Sequence, residues 1–264
     1  MAAYATGEFC WYELGTREID AAVKFYNELA HWQTITHEMG EQGVYYIFQL
    51  EGQDVGGGYR MSGPQFEGVP PHWMPYVWVD DVNAAVAKAG QLGGKVIAPV
   101  MDVPGVGWMA FLQDPQGAHF AVFKGREHQG AARLAPRPGT FSWTELMTTN
   151  AANARKFYAG LFGWTFSEMP MGEGVTYTVF QLNGKPAAGM MQMDGPQFQG
   201  VPPNWLCYLS VGDCDVEVAR ASKMGAKVVV PPQDVPNVGR FSVFQDPTGA
   251  VFAVIAFVPM QGNT

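Results

Sequence analysis

The chain contains few cysteines and few positive charges. Its three cysteines, Cys10, Cys207 and Cys214, are odd in number, and their spacing matches no metal or redox motif. We therefore predict free thiols and a reducing, cytoplasmic location. The net charge of −8 repels phosphate backbones, and no cluster of Lys or Arg interrupts the acidic balance. Nucleic acid is therefore excluded as a predicted partner.

Long apolar runs and nucleotide-binding motifs are also lacking. The longest apolar run, near 251–258, is too short to span a bilayer, and the N-terminal residues carry no basic start or apolar stretch. Neither a glycine-rich phosphate loop nor a Gly-x-Ser-x-Gly turn occurs. The sequence therefore predicts no membrane partner, no nucleotide cofactor and no serine hydrolysis.

The most informative feature that is present is an internal duplication. The chain aligns with itself at one constant offset without a gap, so that Trp11 meets Trp143 and Asp114 meets Asp246. Close to half of the aligned residues are identical, which indicates two copies of one structural unit. We predict a first domain at residues 1–126, a polar linker rich in Pro and Gly at 127–138, and a second domain at 139–264.

Each copy shows the same order of strand-like and helix-like periodicity. In the first copy we predict helices capped by Thr16 or a neighbour and by Asp81, and a hairpin turn at Asp114 to Gly117. The predicted strands of the first copy are 9–14, 33–37, 44–50, 55–61, 74–79, 95–99, 108–113 and 118–123. Each copy is therefore predicted to be α+β, with two βαβββ modules in tandem.

This order, the Lys-Phe-Tyr end of the first helix and the Asp-Pro-x-Gly turn before the last strand resemble the vicinal oxygen chelate superfamily. That superfamily includes glyoxalases, bleomycin-resistance proteins and extradiol dioxygenases. Trp-x-Glu-Leu on the first strand and Gly-Val-Pro-Pro-x-Trp before the fifth resemble its tandem-domain actinobacterial branch, which includes a mycobacterial culture-filtrate antigen and proteins of anthracycline clusters. The resemblance implies open, cup-shaped mixed sheets with helices outside. It is also consistent with back-to-back pairing of modules and with a homodimer.

The superfamily usually binds a divalent metal inside the cup, and this sequence departs from the expected ligands. The resemblance places those ligand positions at the following residues: Trp11, Met74 and Ala121 in the first copy, and Trp143, Leu206 and Ala253 in the second. None of these side chains binds a hard cation. We therefore predict no metal and no other cofactor at the superfamily position.

The same alignment predicts which side chains face each cup, because side chains alternate along a strand. The inward set is Phe9, Trp11, Glu13, Met74, Tyr76, Trp78, His119, Ala121 and Phe123 in the first copy, and Phe141, Trp143, Glu145, Leu206, Tyr208, Ser210, Val251, Ala253 and Ile255 in the second. Such surfaces suit flat aromatic ligands, although plain core packing explains a single Trp or Met equally well.

Two features add polar or mobile groups to this apolar surface. Glu13 and Glu145 each need a partner when buried, and in the first copy Glu13, Tyr76 and His119 form a candidate acid–base group; a buried structural hydrogen bond is the alternative. Phe66 and Phe198, in the repeated Pro-Gln-Phe loop, are candidate lids, with a rigid crossover loop as the alternative. His72 lies near the predicted rim of the first cup.

These features leave three functions open. The first is metal-independent binding of an aromatic or polyketide-like small molecule, for resistance, sequestration or an accessory role in secondary metabolism. The second is a tailoring enzyme for isomerisation, hydration or hydroxylation that uses Glu13 and His119. The third is a metal-dependent lyase or dioxygenase of the glyoxalase type, which the missing ligands disfavour.

Overall fold

The computed structural model describes residues 4–40, 43–171 and 176–258. It contains four α-helices, two short 3-10 helices at Pro64–Phe66 and Pro196–Phe198, and sixteen strands in these ranges. The α-helices are α1 (Ile19–Ala30), α2 (Val82–Gln91), α3 (Ala151–Phe162) and α4 (Cys214–Lys223). The strands of the first copy are β1 (Phe9–Thr16), β2 (Gln33–Glu38), β3 (Val44–Leu50), β4 (Gln53–Arg60), β5 (His72–Trp78), β6 (Lys95–Val103), β7 (Gly107–Gln113) and β8 (His119–Gly125). Those of the second are β9 (Phe141–Thr148), β10 (Thr165–Pro170), β11 (Thr176–Leu182), β12 (Lys185–Gln192), β13 (Asn204–Ser210), β14 (Lys227–Val235), β15 (Gly239–Gln245) and β16 (Val251–Phe257).

Each copy forms one eight-stranded mixed sheet. The strand orders are β2-β3-β4-β1-β5-β8-β7-β6 and β10-β11-β12-β9-β13-β16-β15-β14. Strands β1 and β4 pair in parallel, as do β5 and β8, whereas the hairpins β2-β3-β4 and β6-β7-β8 are antiparallel. The prediction of an α+β fold with two tandem domains of paired βαβββ modules is confirmed.

Side chains cap three of the four α-helices, and the cap predicted at Asp81 is confirmed. Asp81 and Asp213 accept hydrogen bonds from Ala84 and Val216 backbone amides at 3.0 Å, and Asn150 caps α3 in the same way. The first helix differs, because its N-cap is Glu18 and no side chain caps it. Thr16 is therefore not the cap, although its hydroxyl accepts a hydrogen bond from the Glu18 amide at 3.3 Å.

By proximity the chain divides into two compact units, and each unit takes residues from both copies. Unit 1 consists of the described residues of Met1–Trp11, Met74–Gly130 and Trp143–Leu206. Unit 2 consists of those of Tyr12–Trp73, Ala131–Ser142 and Cys207–Thr264. Each holds its own aromatic core, which includes Phe120, Phe157 and Trp164 in unit 1. In unit 2 the rings of Trp32, Phe48 and Trp73 contact one another.

A hydrogen-bonded chain of Trp, Tyr and Asp is repeated once in each unit. In unit 1 the Trp205 indole donates to the Tyr158 hydroxyl at 2.9 Å, and that hydroxyl donates to Asp114 Oδ2 at 3.0 Å. In unit 2 Trp73, Tyr26 and Asp246 make the same two bonds at 2.8 and 2.9 Å. The turn residues predicted from Asp-Pro-x-Gly therefore also anchor a helix of the other copy.

Both of these aspartates also organise their own hairpin turns. Asp114 Oδ1 accepts hydrogen bonds from the amides of Gln116, Gly117 and Ala118 at 2.8 to 2.9 Å. These bonds satisfy amides that the strands on either side cannot pair. The predicted turn is confirmed.

No helix in the described ranges is long and apolar enough to cross a membrane.

Candidate functional site

The clearest polar arrangement at a predicted cup position lies in unit 1 and belongs to the second copy. Trp143 on β9 is half-buried, and its indole N–H donates to the Tyr177 hydroxyl at 2.9 Å. Tyr177 on β11 donates in turn to Glu145 Oε2 at 2.7 Å. We call these three residues the Trp143 triad. The triad replaces the expected metal ligand with an indole whose polar atom is linked to a buried carboxylate.

A glycine makes room for the triad. Gly189 on β12 lies opposite Glu145 in the parallel pairing of β12 with β9. A methyl group added at Gly189 would overlap the Tyr177 hydroxyl and would lie 2.7 Å from the Trp143 indole nitrogen. The phenol therefore crosses the strand directly over the Gly189 backbone. Only glycine leaves that space free.

Burial and charge keep the Tyr177 hydroxyl protonated. Burial is the main cause that raises the pKa of Tyr177, and the negative charge and hydrogen bond of Glu145 raise it further. The bond from Trp143 acts in the opposite direction without reversing the shift. Because Glu145 is 7% exposed, its carboxylate needs such donors to offset its desolvation.

The first copy has the corresponding glutamate and glycine in unit 2. Glu13 on β1 is buried and lies opposite Gly57 on β4. A methyl group at Gly57 would overlap the Tyr45 hydroxyl, so Tyr45 crosses this glycine as Tyr177 crosses Gly189. Burial and the Glu13 charge raise the pKa of Tyr59. The Phe66 ring, half-buried, lies 5.7 Å from the Tyr59 ring.

Trp11, the first-copy residue aligned with Trp143, is more deeply buried. It is 4% exposed, and the His128 ring lies edge-on against it with centroids 4.5 Å apart. His128 also contacts the Phe123 ring at 6.0 Å. Because His128 belongs to the predicted linker, that segment packs on the first copy instead of spanning solvent.

Two other first-copy candidates in unit 1, Tyr76 and His119, differ in their exposure to solvent. Tyr76 is 2% exposed and lies edge-on against Phe111 and Phe123. His119, by contrast, is exposed, and its Nε2 lies 3.1 Å from Gln113 Nε2. The two proposed acid–base partners Tyr76 and His119 therefore do not share one buried environment.

Trp78 and Met74 also lie on β5, at the positions predicted to face the first cup. Trp78 is buried and contacts the rings of Tyr4 and Phe123, while Lys124 Nζ lies 5.2 Å from the centre of its indole. Met74 is half-buried. Trp78 therefore behaves as core in unit 1.

The remaining candidate residues are half-buried or buried. His72 is half-buried, with Nδ1 at 2.8 Å from the Pro70 carbonyl, and burial lowers the pKa of its ring. Phe198 is half-buried beside a tight turn that Gly195 opens with φ of 104°. Leu206 in unit 1 and Tyr208 in unit 2 are buried, and the Tyr208 ring lies 6.1 Å from that of Phe241.

Three further residues of the predicted inward set have the following surroundings. Phe9 packs against Trp164 and Trp205 in the core of unit 1, and Phe141 packs against Tyr12 and Trp73 in unit 2. Val251 is 41% exposed. All three stand at the first residue of their strands, where strict alternation no longer determines which surface a side chain meets.

Tyr177, Gly189 and His128 were missed by the prediction from sequence. Tyr177 and Gly189 are identical to Tyr45 and Gly57 in the other copy, so the duplication itself carried that signal. No signal in the sequence pointed to His128, because it lies in a polar segment without periodicity.

The side chains at the superfamily's metal positions do not fit a divalent cation. They supply indole, thioether, isobutyl and methyl groups in place of His or carboxylate ligands. In the ranges 4–40, 43–171 and 176–258, no group of three or more His, Cys, Asp and Glu side chains is placed to hold a metal.

Comparison with known proteins identifies the family. Residues 11–123 match the model of a glyoxalase-like domain, and residues 140–254 match that of the glyoxalase/bleomycin resistance protein/dioxygenase superfamily. The putative glyoxylase CFP32 of Mycobacterium tuberculosis (strain CDC 1551 / Oshkosh) is 37% identical over 98% of both chains. The chain belongs to this superfamily. The anthracycline biosynthesis protein DnrV of Streptomyces peucetius is 33% identical over 97% of this chain and 95% of its own length.

Solved structures of the superfamily share the fold. The Mn(II)-bound glyoxalase from Novosphingobium aromaticivorans has a TM-score of 0.63 at 18% identity, over 98% of this chain and 86% of that one. The 2,3-dioxygenase LapB from Pseudomonas sp. KL28 has a TM-score of 0.62 at 12% identity, over 97% and 93%. At these identities the likeness establishes the fold alone.

Proposed function

We propose that this protein binds an aromatic, polyketide-like small molecule without a divalent metal. The Trp143 triad carries the proposal, because it sets a half-buried indole beside a buried carboxylate at a superfamily ligand position. A mostly apolar surface with one or two fixed polar groups is the usual form of a small-molecule site. The likeness to an anthracycline biosynthesis protein supports a planar polycyclic ligand.

Sequestration of such a molecule, or an accessory role in secondary metabolism, requires binding alone and no catalysis. The indole offers a flat, polarizable face, and its N–H is already bonded to Tyr177. The ligand therefore meets ring surface without having to satisfy that donor. The Glu145 carboxylate then favours a ligand that carries hydroxyl or amine hydrogen-bond donors.

A titration with quinizarin, a planar dihydroxyanthraquinone, tests the proposal. We expect saturable quenching of tryptophan fluorescence, and an affinity about tenfold weaker in Glu145→Gln, which keeps the shape but loses the charge. The matched control is Glu38→Gln on the exposed strand β2, which should bind like the unaltered protein. Absence of saturable quenching, or equal affinity in all three proteins, would contradict the proposal.

A tailoring enzyme is the second candidate, and one observation favours it. The 2.7 Å bond between Tyr177 and Glu145 is a proton donor and acceptor held in contact, as general acid–base chemistry requires. Because His119 is exposed, this pair supports an acid–base role better than Glu13 with His119. Liquid chromatography with mass spectrometry of quinizarin incubated with the protein would detect an isomerised product as a new peak of equal mass and a hydrated product as a heavier one; recovery of unchanged compound would contradict turnover of this probe.

The three buried cysteines support a reducing location. Cys10, Cys207 and Cys214 are all free thiols. Burial raises the pKa of each of them, which makes them poor thiolate nucleophiles. We propose that the protein works in the cytoplasm, where such thiols stay reduced.

A further inference from the structure

The segment that follows β8 covers Trp11 in unit 1. His128 lies edge-on against the Trp11 indole, and its own ring is held by the Gly130 amide, which donates to His128 Nδ1 at 3.1 Å. Before it, the Arg126 amide donates to the Val106 carbonyl at 2.8 Å. We call residues 125–130 the covering segment. Because the Arg126 amide is bonded to Val106 and the His128 ring packs on Trp11, this segment is a fixed part of unit 1.

Two glycines shape the covering segment: Gly125 lets it turn back on itself, and Gly130 lets it lie against β1. A methyl group at Gly125 would overlap the His128 carbonyl oxygen and would lie 3.1 Å from the Trp78 ring. Gly130 has φ of 85°, and a methyl group there would lie 2.7 Å from the Cys10 carbonyl oxygen. At these two points backbone packs on backbone, and no side chain fits between.

The second copy differs at the decisive glycine. Phe257 stands where the alignment places Gly125, and it is 43% exposed. A residue with a Cβ cannot receive a carbonyl oxygen as closely as Gly125 receives that of His128. Trp143 is half-buried, whereas Trp11 is 4% exposed.

We propose that the duplicated chain has a single working binding position, at the Trp143 triad, for one planar aromatic molecule. The Trp11 position is structural, because the covering segment occupies the face that a ligand would need. This inference rests on the proposed binding function and adds which copy performs it. It predicts one ligand for each chain despite two aligned tryptophans.

Isothermal titration calorimetry with quinizarin tests the inference in the full-length protein. We expect a stoichiometry of one, an affinity at least about tenfold weaker for Trp143→Phe, and an affinity within about twofold of the original for the aligned control Trp11→Phe. Because Trp11 is buried and its variant could lose the fold, His128→Ala serves as a second control that leaves β1 intact. It should also bind within about twofold of the original.

The outcomes separate the inference from the proposed function. A stoichiometry of two, or a loss of affinity in folded Trp11→Phe or in His128→Ala that equals the loss in Trp143→Phe, would overturn the single position and leave binding itself established. Absence of heat and of saturable quenching in the unaltered protein would instead overturn the proposed function, and this inference with it.

Discussion

At the scale of single residues, the Trp143 triad shows how one hydroxyl can bond a half-buried indole and a buried carboxylate. Tyr177 accepts from the Trp143 indole and donates to Glu145, so both ends of the chain depend on it. The sequence predicted Trp143 and Glu145 as inward-facing residues, because side chains alternate along a strand and the superfamily resemblance fixes which of them face the cup. Their hydrogen bonds could not be predicted from the sequence, because these bonds join strands that only the folded sheet brings together.

Removing the Tyr177 hydroxyl should cost both stability and affinity. In Tyr177→Phe the Trp143 N–H and the Glu145 carboxylate each lose a hydrogen bond, so we expect a loss of about 1 to 3 kcal/mol in the free energy of unfolding. Urea denaturation measures it. The control is Tyr46→Phe, whose hydroxyl bond to Asp20 is longer, at 3.3 Å, and lies in an exposed setting. Equal stability of the two variants would contradict the role of the triad.

The ring of His72 should make stability depend on pH. Burial lowers the pKa of His72 in the folded protein, so the unfolded chain binds its proton more readily. The stability contributed by His72 is therefore fully present above the unfolded value of about 6.5 and is lost as the pH falls from there through the folded pKa. In His72→Gln that part of the loss should disappear.

Thermal unfolding between about pH 7 and pH 5 measures the effect. The control is His37→Gln, which changes an exposed histidine on β2. If His37→Gln and His72→Gln flatten the pH profile equally, the buried environment of His72 is not its cause.

At the scale of elements, hydrophobic periodicity and turn residues predicted most of the helices and strands. Strand β3 matches its predicted bounds, and α2 begins after Asp81 as its cap predicts. The start of α1 could not be predicted, because Thr16 offers a suitable capping hydroxyl whereas the helix begins after Glu18, two residues later. The bonds between helices and Asp-Pro turns were also unreadable, since they link distant parts of the sequence.

The Tyr158 and Tyr26 hydroxyls should each stabilise their unit by a similar amount. Each connects a buried indole N–H to a buried aspartate, so Tyr158→Phe and Tyr26→Phe should each lower the free energy of unfolding by about 1 to 3 kcal/mol. Chemical denaturation of each single variant measures the loss. A variant as stable as the unaltered protein would show that its bond contributes nothing net.

The packing of β12 on the Trp143 triad should not tolerate a methyl group. In Gly189→Ala the new Cβ overlaps the Tyr177 hydroxyl, so we expect lower stability together with weaker quinizarin binding. The control is Gly90→Ala on the exposed side of α2, where no atom lies within 4 Å of the added group. That change should be neutral or stabilising by up to about 1 kcal/mol. Unchanged binding by Gly189→Ala would contradict the described position of Tyr177.

At the scale of the whole molecule, the duplication determined what the sequence could reveal. It predicted two tandem copies and the superfamily fold, and the comparisons bear out both. Differences between the copies carried less signal, because a covering segment depends on glycine contacts that the alignment alone does not show. The shared residues alone therefore do not distinguish the copies, and we infer the working copy from the unequal burial of Trp11 and Trp143.

A quinizarin titration of untagged protein, before and after exhaustive treatment with a chelator, tests directly whether binding needs a metal. Because the residues at the ligand positions are Trp, Met, Leu and Ala, we expect the same dissociation constant in both samples. Loss of binding after chelation, restored by adding Mn(II), Zn(II) or Fe(II), would contradict this expectation and would place a metal at the site.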